Sequence, residues 1–278
     1  MKNAETSKYL AAIDLDGTLF GHDGIVGAEN LAALERMSAR GFTVVLASGR
    51  HAMNMAEIAR GLPLVEGLVS CQGCEASDPA RARIYVQEFM QPQDVAPVVT
   101  VGLQAGFGVI VYAESGEYAP LDGPEIDRYR RIVKMPLAVM PVEKLMAERV
   151  FKVMWIASEA RLDAFLSTGA GDRCLPAAAE TVRSHREVFE YVPRGVNKAT
   201  GTAALARELG IPASRVAAFG DADNDVPLFD WAGFSVAMPH ARPEVKRRAT
   251  VVAPDGCPES AFARGVDVLL ASAFVSSR

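Results

Sequence analysis

Three short apolar runs, Tyr9–Ile13, Phe42–Ala47 and Val216–Phe219, each stop abruptly at polar residues: Asp14, Ser48 and Gly220-Asp221. Runs this short read as buried strands, because a core helix needs a longer periodic stretch. Between the first two lies Ala28–Arg40, whose Ala, Leu and Met residues recur on one helical face, and Gly41 follows as a C-terminal cap. Strand, helix, strand in that order is a β-α-β unit, which implies parallel strands joined by a crossover. Near the other end Lys198–Glu208 reads as a helix stopped by Gly210, then comes Val216–Phe219, and strand-like Phe234–Ala237 and Ala249–Ala253 follow. Ligand-binding groups in open parallel sheets collect beyond the carboxyl ends of strands, which is where all three polar clusters fall. The two ends of the chain therefore read as one α/β domain around a parallel sheet.

The middle is different. Strand-like Ile84–Phe89, Gly108–Ala113, Phe151–Ala157 and Val188–Val192 alternate with helical stretches, with few polar clusters at their ends. This predicts a core of residues 1–80 and 190–278 interrupted by an inserted α+β domain of residues 81–189, with hinges near Ser77–Ala80 and Pro193–Val196, where turn formers gather. A chain of 278 residues that is 50% hydrophobic and 23% charged has the material for two such domains. Its 29 Lys and Arg against 34 Asp and Glu give a net charge of -5 with no long basic block, so nucleic acid is not the expected partner. Cys71, Cys74, Cys174 and Cys257 are too scattered for a disulfide framework. The start of the chain has charged and polar residues where a signal peptide is apolar, and Val98–Ala113 and Gly265–Val275 fall short of the ~20 apolar residues that cross a bilayer. A cytoplasmic location, no membrane partner and a monomer or small homo-oligomer are expected.

The densest chemical signal is Ile13-Asp14-Leu15-Asp16-Gly17-Thr18-Leu19-Phe20. A carboxylate at a strand end can attack phosphorus and form an aspartyl-phosphate. A second carboxylate two residues on can give and take protons at the leaving group and at water. Asp before Gly is also ordinary turn chemistry. Further along stand Val44-Val45-Leu46-Ala47-Ser48-Gly49-Arg50, then Arg194-Gly195-Val196-Asn197-Lys198, then Phe219-Gly220-Asp221-Ala222-Asp223-Asn224-Asp225. A helix N-cap role for Ser48 and a phosphate role are compatible, since a helix N-terminus is itself an anion site. The Asp221–Asp225 cluster offers only oxygen donors, which suits Mg²⁺. It lacks the Gly and terminal Glu of an EF-hand loop.

Taken in order, DLDGTLF, the Ser48 strand end, the Lys198 segment and the GDADND string resemble the four motifs of the haloacid dehalogenase superfamily of phosphatases. An insertion between the second and third motifs resembles the class IIB, or Cof-type, branch, whose α+β cap covers the active site. The resemblance implies a Rossmann-like core and a Mg²⁺-dependent phosphomonoester hydrolase acting on small phosphorylated metabolites such as sugar phosphates. It implies Asp14 as nucleophile, Asp16 as acid and base, Ser48 and Lys198 as charge stabilisers, and Ser48, Gly49, Arg50, Lys198 and Asn224 around the phosphate. It implies Mg²⁺ on Asp14, Asp221 and the backbone carbonyl of Asp16, with Asn224 and Asp225 holding waters or orienting Lys198.

The sequence departs from that branch at Ala199, where Gly is usual, at Gln72 in Cys71-Gln72-Gly73-Cys74, where Asn-Gly is usual, and at Pro239-His240, where the branch reads AMGNA. A phosphomutase of the same superfamily and a non-catalytic phosphate sensor stay open as alternatives. The Cys71/Cys74 pair is expected to be buried thiols, and His22, His51, His185 and His240 to be surface or packing residues. Arg183, His185 and Arg186 form a basic cluster that serves either substrate choice or a solvated turn.

Overall fold

The first apolar run becomes the middle of a sheet. In the computed structural model, which describes residues 9–133, 137–173 and 176–276, β1 (Tyr9–Ile13) pairs in parallel with β2 (Phe42–Ala47), and β2 in parallel with β3 (Val65–Ser70). On the other side β1 pairs in parallel with β12 (Val216–Gly220), which continues to β13 (Phe234–Ala237) and β14 (Val251–Val252). Beyond β3, the short β4 (Glu75–Ser77) and β5 (Ile84–Gln87) add antiparallel to one edge. The spatial order is β14-β13-β12-β1-β2-β3-β4-β5.

Strand alternation sorts β1 between two cores. Tyr9, Ala11 and Ile13 pack with Leu34 and Met37 of the helix Ala28–Ala39 and with Val266 and Leu269 of the helix Ala261–Ala271. Leu10 and Ala12 pack with Leu205 of the helix Lys198–Glu208 and with Leu228 and Phe229 of the helix Val226–Trp231. A strand covered on both faces has no use for a polar residue along its length, which is why the run is uniformly apolar and its polar residues wait at the carboxyl end. The α/β reading with a parallel-sheet core holds.

Met1–Gln87 with Asn197–Arg278 forms one compact unit, and Glu88–Val196 a second. Both junctions lie further along the chain than the expected 80/81 and 189/190. Ile84–Gln87, expected in the insertion, pairs with β4 in the large sheet, so Ser77–Ala80 opens a hairpin turn and is no hinge. Conversely, the strand that ends at Pro193 belongs wholly to the second unit.

That second unit is a six-stranded sheet of β6 (Gly108–Ala113), β7 (Gly116–Ala119), β8 (Ala138–Val139), β9 (Val150–Ile156), β10 (Ala179–His185) and β11 (Val188–Pro193), in the order β10-β11-β9-β6-β7-β8. Val109, Val111, Val153, Trp155 and Tyr191 share one face with Val95, Val98 and Val99 of the helix Pro92–Gln104 and Leu162 of the helix Glu159–Ser167. Alternate residues put Tyr112, Lys152 and Glu190 on the opposite face. Arg183 donates to Asp163 at 3.0 Å and to the carbonyls of His185 and Arg186, so it braces the β10–β11 turn. Cys174 lies outside the described residues.

Candidate active site

The chain leaves β1 through a single wide turn, Leu15–Leu19. Leu19 N–H reaches the Asp14 carbonyl at 3.2 Å, and Phe20 N–H reaches that of Leu15 at 2.9 Å. Gly17 sits at φ +83°, and a Cβ there would stand 2.6 Å from Asp221 Oδ2. The glycine therefore serves both the left-handed backbone and the close approach of this turn to Asp221. Asp14 is buried at the end of β1, and its own N–H donates to the Phe219 carbonyl of β12 at 3.0 Å. One backbone hydrogen bond thus joins the first strand end to the fourth motif.

Lys198 begins the helix Lys198–Glu208, which is capped by Asn197. The Asn197 carboxamide oxygen accepts from Ala199 and Thr200 N–H, and Thr200 Oγ1 accepts from Asn197 N–H. This reciprocal cap fixes the helix start. The buried Lys198 ammonium donates to Asp14 Oδ1 at 2.6 Å and to Asp225 Oδ1 at 2.7 Å. Burial works against the charge on Lys198, but the Asp14 and Asp225 carboxylates outweigh it and hold the amine's pKa above the ordinary lysine value. Asp225 Oδ2 accepts from the N–H groups of Asp221 at 2.9 Å and Ala222 at 3.0 Å. Asp225 is therefore spent on orienting Lys198 and closing the loop after β12.

Carboxylate oxygens of Asp14, Asp221 and Asp225 lie within 4.8 Å of one another. Asp225 is fully buried, with its oxygens on Lys198 and two backbone N–H groups, which leaves Asp14 and the partly exposed Asp221 as the pair open to an ion. Asp221 is steadied by Thr18, whose hydroxyl donates to Oδ1 at 3.2 Å, and His240 Nε2 stands 3.4 Å from Oδ2. The structure thus places the half-exposed His240 beside Asp221, a contact beyond the surface or packing role expected of it. Its position after β13 gives no warning, because the contact depends on how the ends of β12 and β13 lie side by side.

Asp16 does not join this cluster through its side chain. Its carboxylate is exposed and is gripped in bidentate fashion by Arg50, Nε to Oδ2 at 2.8 Å and Nη2 to Oδ1 at 2.6 Å. Arg50 is held in turn by Asn54 and lies over the Phe20 ring. Ser48 is buried just past β2, and its Oγ accepts from Arg50 N–H at 3.2 Å. It is not the N-cap of the next helix. That role falls to the buried His51, whose Nδ1 accepts from Met53 N–H at the start of Ala52–Arg60.

The loop after β3 packs between these parts. Cys71, Gln72 and Gly73 all have positive φ, of 51°, 62° and 100°, a strained arrangement for the first two. It is held by Cys71 N–H to the Arg50 carbonyl and Gln72 N–H to the Ser48 carbonyl. At Gly73 a Cβ would lie 2.0 Å from the Asn197 carbonyl, so only glycine lets this loop rest on the Lys198 helix. The Gln72 side chain is buried against Gly49, where a Cβ would meet it at 2.6 Å, and its Oε1 accepts from Asn224 Nδ2 at 3.0 Å. Gln72 and Asn224 therefore serve each other. Cys71 and Cys74 are buried thiols.

Residues 11–261 match the haloacid dehalogenase-like hydrolase family. The chain belongs to that family. An HMP-PP phosphatase of Cronobacter sakazakii is 27% identical over 237 residues, covering 85% of this chain and 86% of that protein. Among solved structures, a HAD subclass IIB sugar phosphatase superposes with a TM-score of 0.81 at 19% identity, covering 94% of this chain and 99% of the other. A haloacid dehalogenase-like hydrolase from B. subtilis gives 0.81 at 24% identity, covering 94% and 100%. The structural likeness speaks for the fold, and the curated relatives carry phosphatase in their names. The enzyme class read from the four motifs, a phosphatase of this family, stands. Among the described residues no helix is long and apolar enough to cross a membrane.

Proposed function

We propose that this enzyme hydrolyses phosphomonoesters of small metabolites through an aspartyl-phosphate on Asp14. The observation that carries the reading is the buried Lys198 ammonium shared between Asp14 and Asp225 at adjacent strand ends. An ammonium there neutralises the nucleophile while the phosphoryl group approaches and offsets charge on its oxygens afterwards. The Asp14 carboxylate oxygen bonds to phosphorus as the bond to the leaving oxygen breaks, and Asp16 gives its proton to that oxygen. Asp16 then takes a proton from water, which attacks the same phosphorus and frees Asp14 with inorganic phosphate. In this reading Ser48 Oγ–H and the backbone at Gly49 hydrogen-bond the phosphoryl oxygens.

The donors at Asp14 and Asp221 are all oxygen and share one volume, as Mg²⁺ requires, and Gly17 lets the turn carrying the Asp16 carbonyl lie against Asp221. Mg²⁺ would be held by Asp14, Asp221 and that carbonyl. When bound it would neutralise phosphate charge that Lys198 cannot reach. The second unit is read as the substrate-choosing cap. The names of the relatives put HMP-PP and sugar phosphates first in the substrate panel. Release of inorganic phosphate from p-nitrophenyl phosphate and that panel should require Mg²⁺ and stop with EDTA. Undiminished release from rigorously metal-free protein overturns the cation assignment.

Arg50 grips both oxygens of Asp16 outside the Asp14–Asp221–Asp225 cluster, so it sets the position from which the acid and base moves to the leaving oxygen. Arg50→Ala should lower kcat by about 10- to 100-fold with little change in KM, because misplacing a catalytic group costs roughly that much. Arg50→Lys should recover only part, since an ammonium cannot make the paired contact. A rise in KM at constant kcat would instead assign Arg50 to the substrate's phosphate.

A further inference from the structure

The Asp221 carboxylate is held from two sides, and one of the two partners is unaccounted for by the reaction. Thr18 fixes Oδ1. On the Oδ2 side, His240 Nε2 stands at 3.4 Å. His240 therefore ties the loop after β13 to the loop after β12, the segment that delivers Asp221. Its own loop is anchored on both flanks. Met238 N–H donates to the Gly220 carbonyl at 2.9 Å, Ala241 N–H closes a turn on the Met238 carbonyl at 3.1 Å, and both residues are buried. The ring is thus presented by a fixed backbone although its side chain is 48% exposed.

Direct ligation fits the geometry poorly. Among the described residues, the acidic oxygens sharing one volume are those of Asp14, Asp221 and Asp225, and His240 is outside that group. We propose that His240 is a positioning residue for the divalent cation: through Asp221 Oδ2 it presets the Asp221 carboxylate in its ligating orientation. This rests on the cation reading above. Partners that orient a ligating carboxylate are worth about 10- to 100-fold in metal affinity.

The test is binding of Mn²⁺, a probe suited to the same oxygen donors, followed by the electron paramagnetic resonance signal of the unbound ion, with no turnover involved. Wild type, Asp221→Asn, His240→Ala and His240→Gln are compared, with circular dichroism to verify folding. Wild type should bind Mn²⁺ and Asp221→Asn should not. His240→Ala should weaken binding by about tenfold or more, and His240→Gln, whose amide nitrogen reaches about as far as Nε2, should recover most of the loss. Equal affinity in wild type and His240→Ala overturns the inference while leaving the cation reading intact. Tighter binding in His240→Ala also overturns it, by showing that the ring competes for Asp221. Absence of Mn²⁺ binding by wild type, or binding indifferent to Asp221→Asn, overturns the cation reading and this inference together.

Discussion

Asp14→Asn should reduce turnover by about 10³-fold or more, the scale seen when a covalent nucleophile is removed, while the protein stays folded. The amide keeps the volume and one oxygen acceptor, so Lys198 retains a neighbour there as well as its contact with Asp225 at 2.7 Å. What is lost is the negative oxygen that attacks phosphorus. Two measurements make the point together. Steady-state phosphate release should disappear, and a phosphoryl group trapped on wild type by rapid acid quench during turnover should be absent from the variant. Near-native release by Asp14→Asn would sink the mechanism. The same trapped species separates hydrolase from mutase: with a hexose 1-phosphate and a bisphosphate activator, a mutase returns isomer, and a hydrolase returns inorganic phosphate.

Much of this site can be read before any coordinates, for a physical reason. A parallel strand buried on both faces excludes polar residues, so Asp14, Ser48 and Asp221 stand out against their apolar runs and mark the sheet's carboxyl edge. Phe42–Ala47, Gly108–Ala113, Phe234–Ala237 and the helix Lys198–Glu208 have the bounds that their patterns predict. β7 and β10 leave no such mark, because Gly116–Ala119 and Ala179–His185 are mostly half-buried and mix polar with apolar residues. The first junction between units is hidden for a related reason. Ile84–Gln87 looks like a strand wherever it pairs, and its sequence does not say which sheet takes it. The Gln72–Asn224 bond joins residues 152 positions apart, and the His240–Asp221 contact arises from lateral strand neighbours. Spacing along a chain carries no information about such pairs, and the resemblance is silent where Gln72 and His240 depart from the usual pattern.

The largest stability effect is expected in the second unit, at Lys152. Its ammonium and the Glu190 carboxylate are both buried and directly paired on the sheet face away from the apolar core. Ser184 Oγ–H also donates to Glu190, and Lys152 Nζ lies 4.2 Å from the centre of the Tyr112 ring. A buried pair of this kind gains little over apolar residues of the same shape, because each charge has been stripped of water, but removing one partner strands the other. Lys152→Met keeps the stem and deletes the charge, leaving the buried Glu190 carboxyl against an apolar neighbour. It should cost about 3–5 kcal/mol, read as a fall in thermal midpoint of roughly 10 °C. Adding Glu190→Gln should restore most of that loss, since the amide carries no charge and its oxygen still accepts from Ser184. The double-mutant cycle isolates the pair because the two side chains touch. A single variant as stable as wild type would show that the charges are hydrated and the pair is dispensable. A double variant no better than Lys152→Met would place the cost in lost packing around the lysine stem and Tyr112, with the stranded carboxylate contributing little.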